Sequence, residues 1–312
     1  MLDERTRKEI LSTVMNYKIP SDILELIEDY ERIFGRRDRF LWKWIGVVFR
    51  QGITLSCVDE KCFDSVVDLK IPLIIVVVIL DDAADYYGDR ELIDRAYEIV
   101  FYGRSFNDER LIFFVKLWNY ILQKMRSFPR FEEFFPIFEY DVRQMFNAMY
   151  YSHLVNTKPE AMNLKEAKIY VSNNMIYFLY TGADLMASPT FDKNELPLLR
   201  EIIWHTQQMA RIGNWLSTWK RELKERDFSS GVFAYIVSKG FVSPNELVEM
   251  NEDEIAGIVE KANPNMYFME LWMENYRKVE EIGRNIKSVD IKALLRGFEN
   301  LLKFHLATEG YK

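Results

Sequence analysis

The segment LIIVVVILDDAADYYGD, residues 73–89, limits what this chain can fold into more than any other stretch. Eight apolar side chains in a row end on two adjacent aspartates, with a third three residues further on. Such a run is either a buried parallel strand ending in acids or a helix apolar on every side. Three features select the helix. From Pro72 to Tyr87 no breaker interrupts about sixteen residues, too many for a typical strand. Pro72 suits a first helical position and Gly88 the residue just past the last. No Gly-x-x-x-x-Gly-Lys-Ser/Thr loop is present to give a strand-end acid pair a nucleotide. A helix apolar all round is surrounded by other helices, so the segment predicts the interior of a helical bundle.

The rest of the chain agrees. Apolar residues recur at three-and-four spacing over Ser21–Phe34, Leu92–Phe101, Leu111–Met125, Leu164–Met186 and Pro197–Leu223, with prolines such as Pro72 and Pro136 read as connectors or caps. Strand signals are scarce, and no repeat or long linker divides the chain. Residues 1–312 therefore read as one all-α domain of roughly ten or more helices. A net charge of -7 argues against a nucleic-acid partner. Cys57 and Cys62 are too few for a disulfide framework and read as reduced thiols. With a polar N-terminus and no apolar run long enough for a membrane span, the expectation is a soluble, cytoplasmic protein.

Three carboxylates at the end of the greasiest segment repel one another and resist burial, which calls for a cation. On a helix Asp81 and Asp85 face the same way, about 6 Å apart along the axis, and Asp82 lies about 100° around as a further ligand. Hard divalent cations such as Mg²⁺ take oxygen ligands and keep several waters, so two carboxylates would hold one loosely until a phosphate completes the site. The alternative is an acidic end to a core helix.

A second constellation lies in ARIGNWLSTWKRELKERD, from Ala210. Asn214, Thr218 and Glu222 fall at i, i+4 and i+8, one stripe of an amide oxygen, a hydroxyl and a carboxylate able to cradle a hard cation. Arg211, Lys220 and Arg221 bring positive charge beside it, useful toward an anion. Metal and anion together satisfy both sets.

DDAAD at 81–85 resembles the aspartate-rich motif of class I terpene synthases, and Asn214, Thr218 and Glu222 match that family's Asn-x-x-x-Ser/Thr-x-x-x-Glu motif in order and spacing. The resemblance, to the microbial single-domain type, implies a helical isoprenoid-synthase bundle around a deep apolar cavity. It implies that Asp81, Asp82, Asp85, Asn214, Thr218 and Glu222 hold three Mg²⁺ ions, with Mn²⁺ as an alternative, against the diphosphate of an isoprenoid substrate. Arg211, Lys220, Arg221 and Tyr311 would contact that diphosphate. Phe146, Tyr177, Phe178, Tyr180, Trp204 and Trp215 are candidate aromatic liners able to stabilise a carbocation by cation–π attraction. Gly182, beside Thr181, is expected to break the helix there and turn backbone carbonyls into the cavity. The implied reaction is ionisation of a C15 or C20 diphosphate, farnesyl, geranylgeranyl or precyclised copalyl-type, followed by cyclisation and diphosphate release. A homodimer is compatible with this reading.

The sequence departs from the family in three places. Trp215 follows Asn214 where an aspartate is usual, Phe178 stands nearest the place of a diphosphate-sensing arginine, and Gly310 precedes Tyr311 where an arginine is common. Arg211, Lys220, Arg221, Arg226 and Lys312 are the candidates to compensate. A chain-elongating prenyl diphosphate synthase would share the fold and first motif but needs a second aspartate-rich motif. A non-enzymatic helical interaction protein would leave both stripes as solvated faces.

Overall fold

The computed structural model describes residues 3–311. Among them the secondary structure is helical, with no strand. The helices are α1 (Glu4–Asn16), α2 (Ser21–Ile33), α3 (Arg39–Val48), α4 (Phe63–Asp82), α5 (Arg90–Tyr102), α6 (Glu109–Arg126), α7 (Phe131–Thr157) and α8 (Leu164–Ile169). They continue with α9 (Tyr177–Met186), α10 (Leu196–Lys224), α11 (Gly231–Ser238), α12 (Pro244–Glu249), α13 (Glu252–Ala262), α14 (Pro264–Gly283) and α15 (Ile291–Ala307). Lys312, one of the candidate compensating cations, lies outside the described residues. No described helix is long and apolar enough to cross a membrane.

Two helices organise the bundle. α4 packs against α2, α3, α6, α7 and α9, and α10 against α9, α11, α14 and α15. Between Ile71 and Leu80 only Ile74 is less than fully buried, as an all-round apolar helix requires. Burial of each such side chain contributes about 1.5–3 kcal/mol. That load explains why α4 tolerates a proline in its middle. Pro72 sits well inside a helix that begins at Phe63, and not at its first position as the sequence suggested. Packing on all sides outweighs the roughly 3 kcal/mol of a lost N–H and a crowded carbonyl. Pro136 likewise lies inside α7 rather than between helices.

The expected helix over Leu164–Met186 is broken, but not at Gly182. α8 gives way to a tight 3₁₀ segment over Val171–Met175, and Ile176 then takes the left-handed conformation (φ 46°, ψ 28°) before α9 begins. A β-branched residue there is strained and must be held by its surroundings. Gln207 of α10 does so: its side-chain oxygen accepts from the Tyr177 N–H at 3.0 Å, and its amide donates to Asn173 at 3.0 Å. Gly182 is an ordinary α9 residue, needed small because a Cβ would lie 3.2 Å from the Phe138 ring.

Candidate active site

α4 and α10 face one another across a cavity instead of packing together, and both present one helical stripe to it. On α4 and the turn that continues it the stripe runs Ile74, Val77, Val78, Asp81, Asp82 and Asp85; on α10 and its C-cap it runs Arg211, Asn214, Thr218, Arg221, Glu222 and Glu225. Both follow the three-and-four period, the first apolar before it turns acidic and the second polar or charged throughout. After Asp82 the helix widens into a π turn over Ala83–Tyr87, closed by Gly88 in the left-handed conformation (φ 60°). A turn of more than four residues keeps Asp85 on the same side as Asp81. Two helix C-termini thus aim the negative ends of their dipoles into the mouth, together with the carboxylates.

The acids are tied into a network. Asn174, from the break before α9, donates to Asp81 at 3.0 Å. Asn156 of α7 lies 3.1 Å from both Asp85 and Asp227. Thr218 Oγ1 stands 2.7 Å from Glu222 Oε1 and 2.7 Å from the Asn214 carbonyl, and the Asn214 side-chain oxygen accepts from Arg211 at 2.9 Å. Asp82 is claimed by two arginines, at 2.9 Å from Arg36 Nε and 2.5 Å from Arg37 Nη2.

Even so, the cavity wall holds more carboxylates than guanidiniums: Asp81, Asp82, Asp85, Glu222, Glu225 and Asp227 against Arg36, Arg37, Arg211 and Arg221. Burial and the neighbouring Asp227 and Asp81 push the Asp85 carboxyl well above its usual range. Burial and Asp227 raise Glu222, and burial raises Asp82 despite Arg37 beside it. Glu222 Oε2 is buried without a hydrogen-bond partner among the described residues. Excess buried negative charge with orphaned oxygens fits a cation. Among the described residues no three His, Cys, Asp or Glu side chains form a ready-made metal cage. Asn214 and Thr218 supply oxygens of other types, and a Mg²⁺ site that keeps its waters does not need a closed cage.

Below the acids the cavity is apolar and aromatic, reaching Trp44, Phe49, Tyr177 and Tyr180. Its volume is about 150 Å³. The Tyr180 hydroxyl is buried without a partner, and its ring meets Phe49 edge-on at 4.4 Å. Beneath lies a fully buried ion pair, Lys70 to Asp184 at 2.6 Å, joining α4 to α9. Lys70 also reaches Thr54 at 3.0 Å, and Asp184 accepts from the Leu55 N–H at 2.9 Å. These contacts fix the widened turn Phe49–Ile53. That turn presses on α15 so closely that a Cβ at Gly297 would collide with the Gly52 carbonyl.

The structure brings together Asp81, Asp82, Asp85, Asn214, Thr218, Glu222, Arg211, Arg221, Tyr177 and Tyr180, all on the cavity wall. Several other residues singled out in the sequence lie elsewhere. Phe146 is buried in an aromatic cluster, 5.3 Å from Tyr97, and is not on the cavity wall. Phe178 is turned off the wall by the α9 period and lies under the Arg200 guanidinium at 4.7 Å; Thr181, one turn after Tyr177, donates to the Tyr177 carbonyl and is not on the wall either. Gly182 packs on Phe138, and Trp215 is fully buried beside Gly231 and Phe268, one helical step from Asn214. Trp204 is not on the wall either. Lys220 is exposed and pairs with Glu309 at 3.4 Å. Tyr311 rests on Phe40 at 5.5 Å, and Arg226 donates to the Met250 carbonyl at 2.9 Å. The sequence reading missed Arg36, Arg37, Asn156, Asn174, Glu225 and Asp227. Asp227 is delivered by a left-handed Arg226 (φ 59°) that turns the chain back after α10.

Two crystal structures of linalool/nerolidol synthase from Streptomyces clavuligerus match the fold of this chain over nearly its whole length. The one in complex with 2-fluorogeranyl diphosphate covers 97% of this chain and 95% of its own, at 11% identity and a TM-score of 0.52. The other covers 92% and 98%, at 10% identity and a TM-score of 0.54. This is the terpene synthase fold. No family model matches the chain, and no curated protein is significantly similar to it. The likeness is therefore one of architecture.

Proposed function

We propose that residues 1–312 form one Mg²⁺-dependent terpene synthase unit that ionises an isoprenoid diphosphate, turns the allylic cation into a terpene and releases diphosphate. The observation that carries the proposal is the convergence of the α4 and α10 oxygen stripes at the acidic mouth of an apolar, aromatic-floored cavity. Asp81, Asp85, Asn214, Thr218 and Glu222, with Asp82 beside them, are the side chains that would hold the cations. Bound Mg²⁺ would supply Lewis-acid neutralisation of the leaving diphosphate.

The chain's own groups do the remainder. Arg211 and Arg221 stand on the wall to pair with phosphate oxygens. Trp44, Phe49, Tyr177 and Tyr180 exclude water and offer ring faces and edges, each aromatic face worth about 0.5–2 kcal/mol to a cation. The Lys70–Asp184 pair holds that floor still. A volume of about 150 Å³ is below the roughly 300 Å³ at the small end of ligand sites, so either a fifteen- or a twenty-carbon chain would need the cavity to widen around it. One of the structural neighbours is complexed with a fluorinated geranyl diphosphate, in keeping with a substrate of modest length.

The test is a melting curve with Mg²⁺ and inorganic diphosphate together. A diphosphate site gains stability by linkage, about 2.7 kcal/mol at a hundredfold excess over Kd. An unchanged melting temperature with both present would reject the proposal.

A further inference from the structure

The loop between α2 and α3 carries two consecutive arginines that the sequence motifs do not account for. Gly35 turns left-handed (φ 62°), and the next two side chains reach the cavity wall. Arg36 bridges Asp82, at 2.9 Å, and Glu225, at 3.0 Å; Arg37 approaches the same two carboxylates at 2.5 and 3.7 Å. Asp82 is the last residue of α4 and Glu225 the first beyond α10. Two guanidiniums from one loop therefore tie together the ends of both oxygen-bearing helices. The Arg36 guanidinium also lies 3.4 Å from the centroid of the Tyr86 ring, itself half exposed at the rim.

The position of this charge matters more than the ion pairs do. Of the four guanidiniums on the wall, Arg211 and Arg221 belong to α10, and the other two are these. Lys220, Arg226 and Tyr311 face away, and Phe178 is covered by Arg200. Among the described residues, a dianionic group at the mouth would otherwise meet arginine side chains from α10 alone. The planar fork that binds a carboxylate also binds a phosphate, which carries more charge per group.

We propose that Arg36 and Arg37 are an exchangeable clamp on the substrate's diphosphate. Without ligand their forks rest on Asp82 and Glu225; when a diphosphate enters they transfer to its oxygens. No bond is made or broken. The proposal rests on the reading of the cavity as a diphosphate site and adds the residues that grip it opposite α10.

Calorimetric titration of inorganic diphosphate, in the presence of Mg²⁺, tests it on the full chain. The variants are Arg36→Ala, Arg37→Ala, the double change to lysine, and Arg5→Ala as a control, since Arg5 is exposed and bonded only within α1 to Glu9. Each alanine variant should weaken binding about tenfold, the loss of one charge-assisted fork. The double lysine variant keeps both charges for Asp82 and Glu225, and so keeps the brace, but should still bind severalfold more weakly; Arg5→Ala should match the wild type. Wild-type affinity in the double lysine variant, or in a folded alanine variant, would make the pair a structural brace and overturn the clamp while leaving the diphosphate site intact. Wild-type protein indifferent to diphosphate would remove both.

Discussion

Replacing Lys70 by methionine isolates the part of the scaffold that positions the cavity floor. Lys70 and Asp184 are both inaccessible to solvent and 2.6 Å apart, and among the described residues the one other donor to the carboxylate is the Leu55 N–H. Methionine fills most of the lysine's space, so the cost is electrostatic: a buried carboxylate loses its counter-charge. Breaking such a pair from one side costs about 3–5 kcal/mol. A chain of 312 residues unfolds with an entropy of roughly 0.65 kcal/mol per kelvin at about 2.1 cal/mol/K per residue, so 4 kcal/mol corresponds to a fall of about 6 °C. Scanning calorimetry reads the difference directly. The double variant Lys70→Met with Asp184→Leu removes the orphaned charge and should recover most of the loss. A single variant melting within 1 °C of the wild type, or a double variant no better than the single, would refute the reasoning.

Three other outcomes follow. Asp85→Asn should raise the melting temperature by a degree or two, because it relieves repulsion from Asp81 and Asp227, and should lower turnover of the diphosphate substrate at least about a hundredfold; a lower melting temperature would contradict the electrostatics. Asn156→Ala should leave Asp85 and Asp227 unbridged and lower Mg²⁺ affinity about ten- to a hundredfold, read by titrating Mg²⁺ against activity. Glu133, held down to about 2 by Arg130 and then Lys193, adds stability that is complete above the ordinary glutamate value of 4.5 and is lost as pH falls through about 2. Glu133→Gln should therefore melt slightly lower than wild type at pH 7, with the gap closing on acidification.

What the sequence made legible was what periodicity carries. The length and end signals of the all-round apolar run favoured an interior helix over a buried strand, and on a helix the i, i+4, i+8 oxygens form one stripe. Both landed on the cavity wall because each is a local property of one helix. What it hid depends on pairings between elements. Arg36 and Arg37 sit in a short loop outside every sequence motif, and the arrival of Asp82 and Glu225 from distant helices gives them a role. Asp227 faces inward because Arg226 is left-handed, which no local residue type announces. The break before α9 was assigned to Gly182 because glycine is the usual breaker, yet the strain falls on Ile176 and is held by Gln207, thirty residues away. The aromatic liners were misjudged for a related reason. A ring on a helix can serve the core or the cavity, and the one-residue step from Tyr177 to Phe178 decides between them.

The central claim, that the two oxygen stripes act together on an isoprenoid diphosphate, is tested most directly by product analysis. The purified chain is incubated with C10, C15, C20 and copalyl diphosphates and Mg²⁺, and the organic extract is resolved by gas chromatography and mass spectrometry. The expected result is a terpene hydrocarbon or alcohol from the fifteen- or twenty-carbon substrate, with inorganic diphosphate released in equal amount and both lost on adding a chelator. Intact substrate throughout, or conversion only to longer polyprenyl diphosphates, would contradict it.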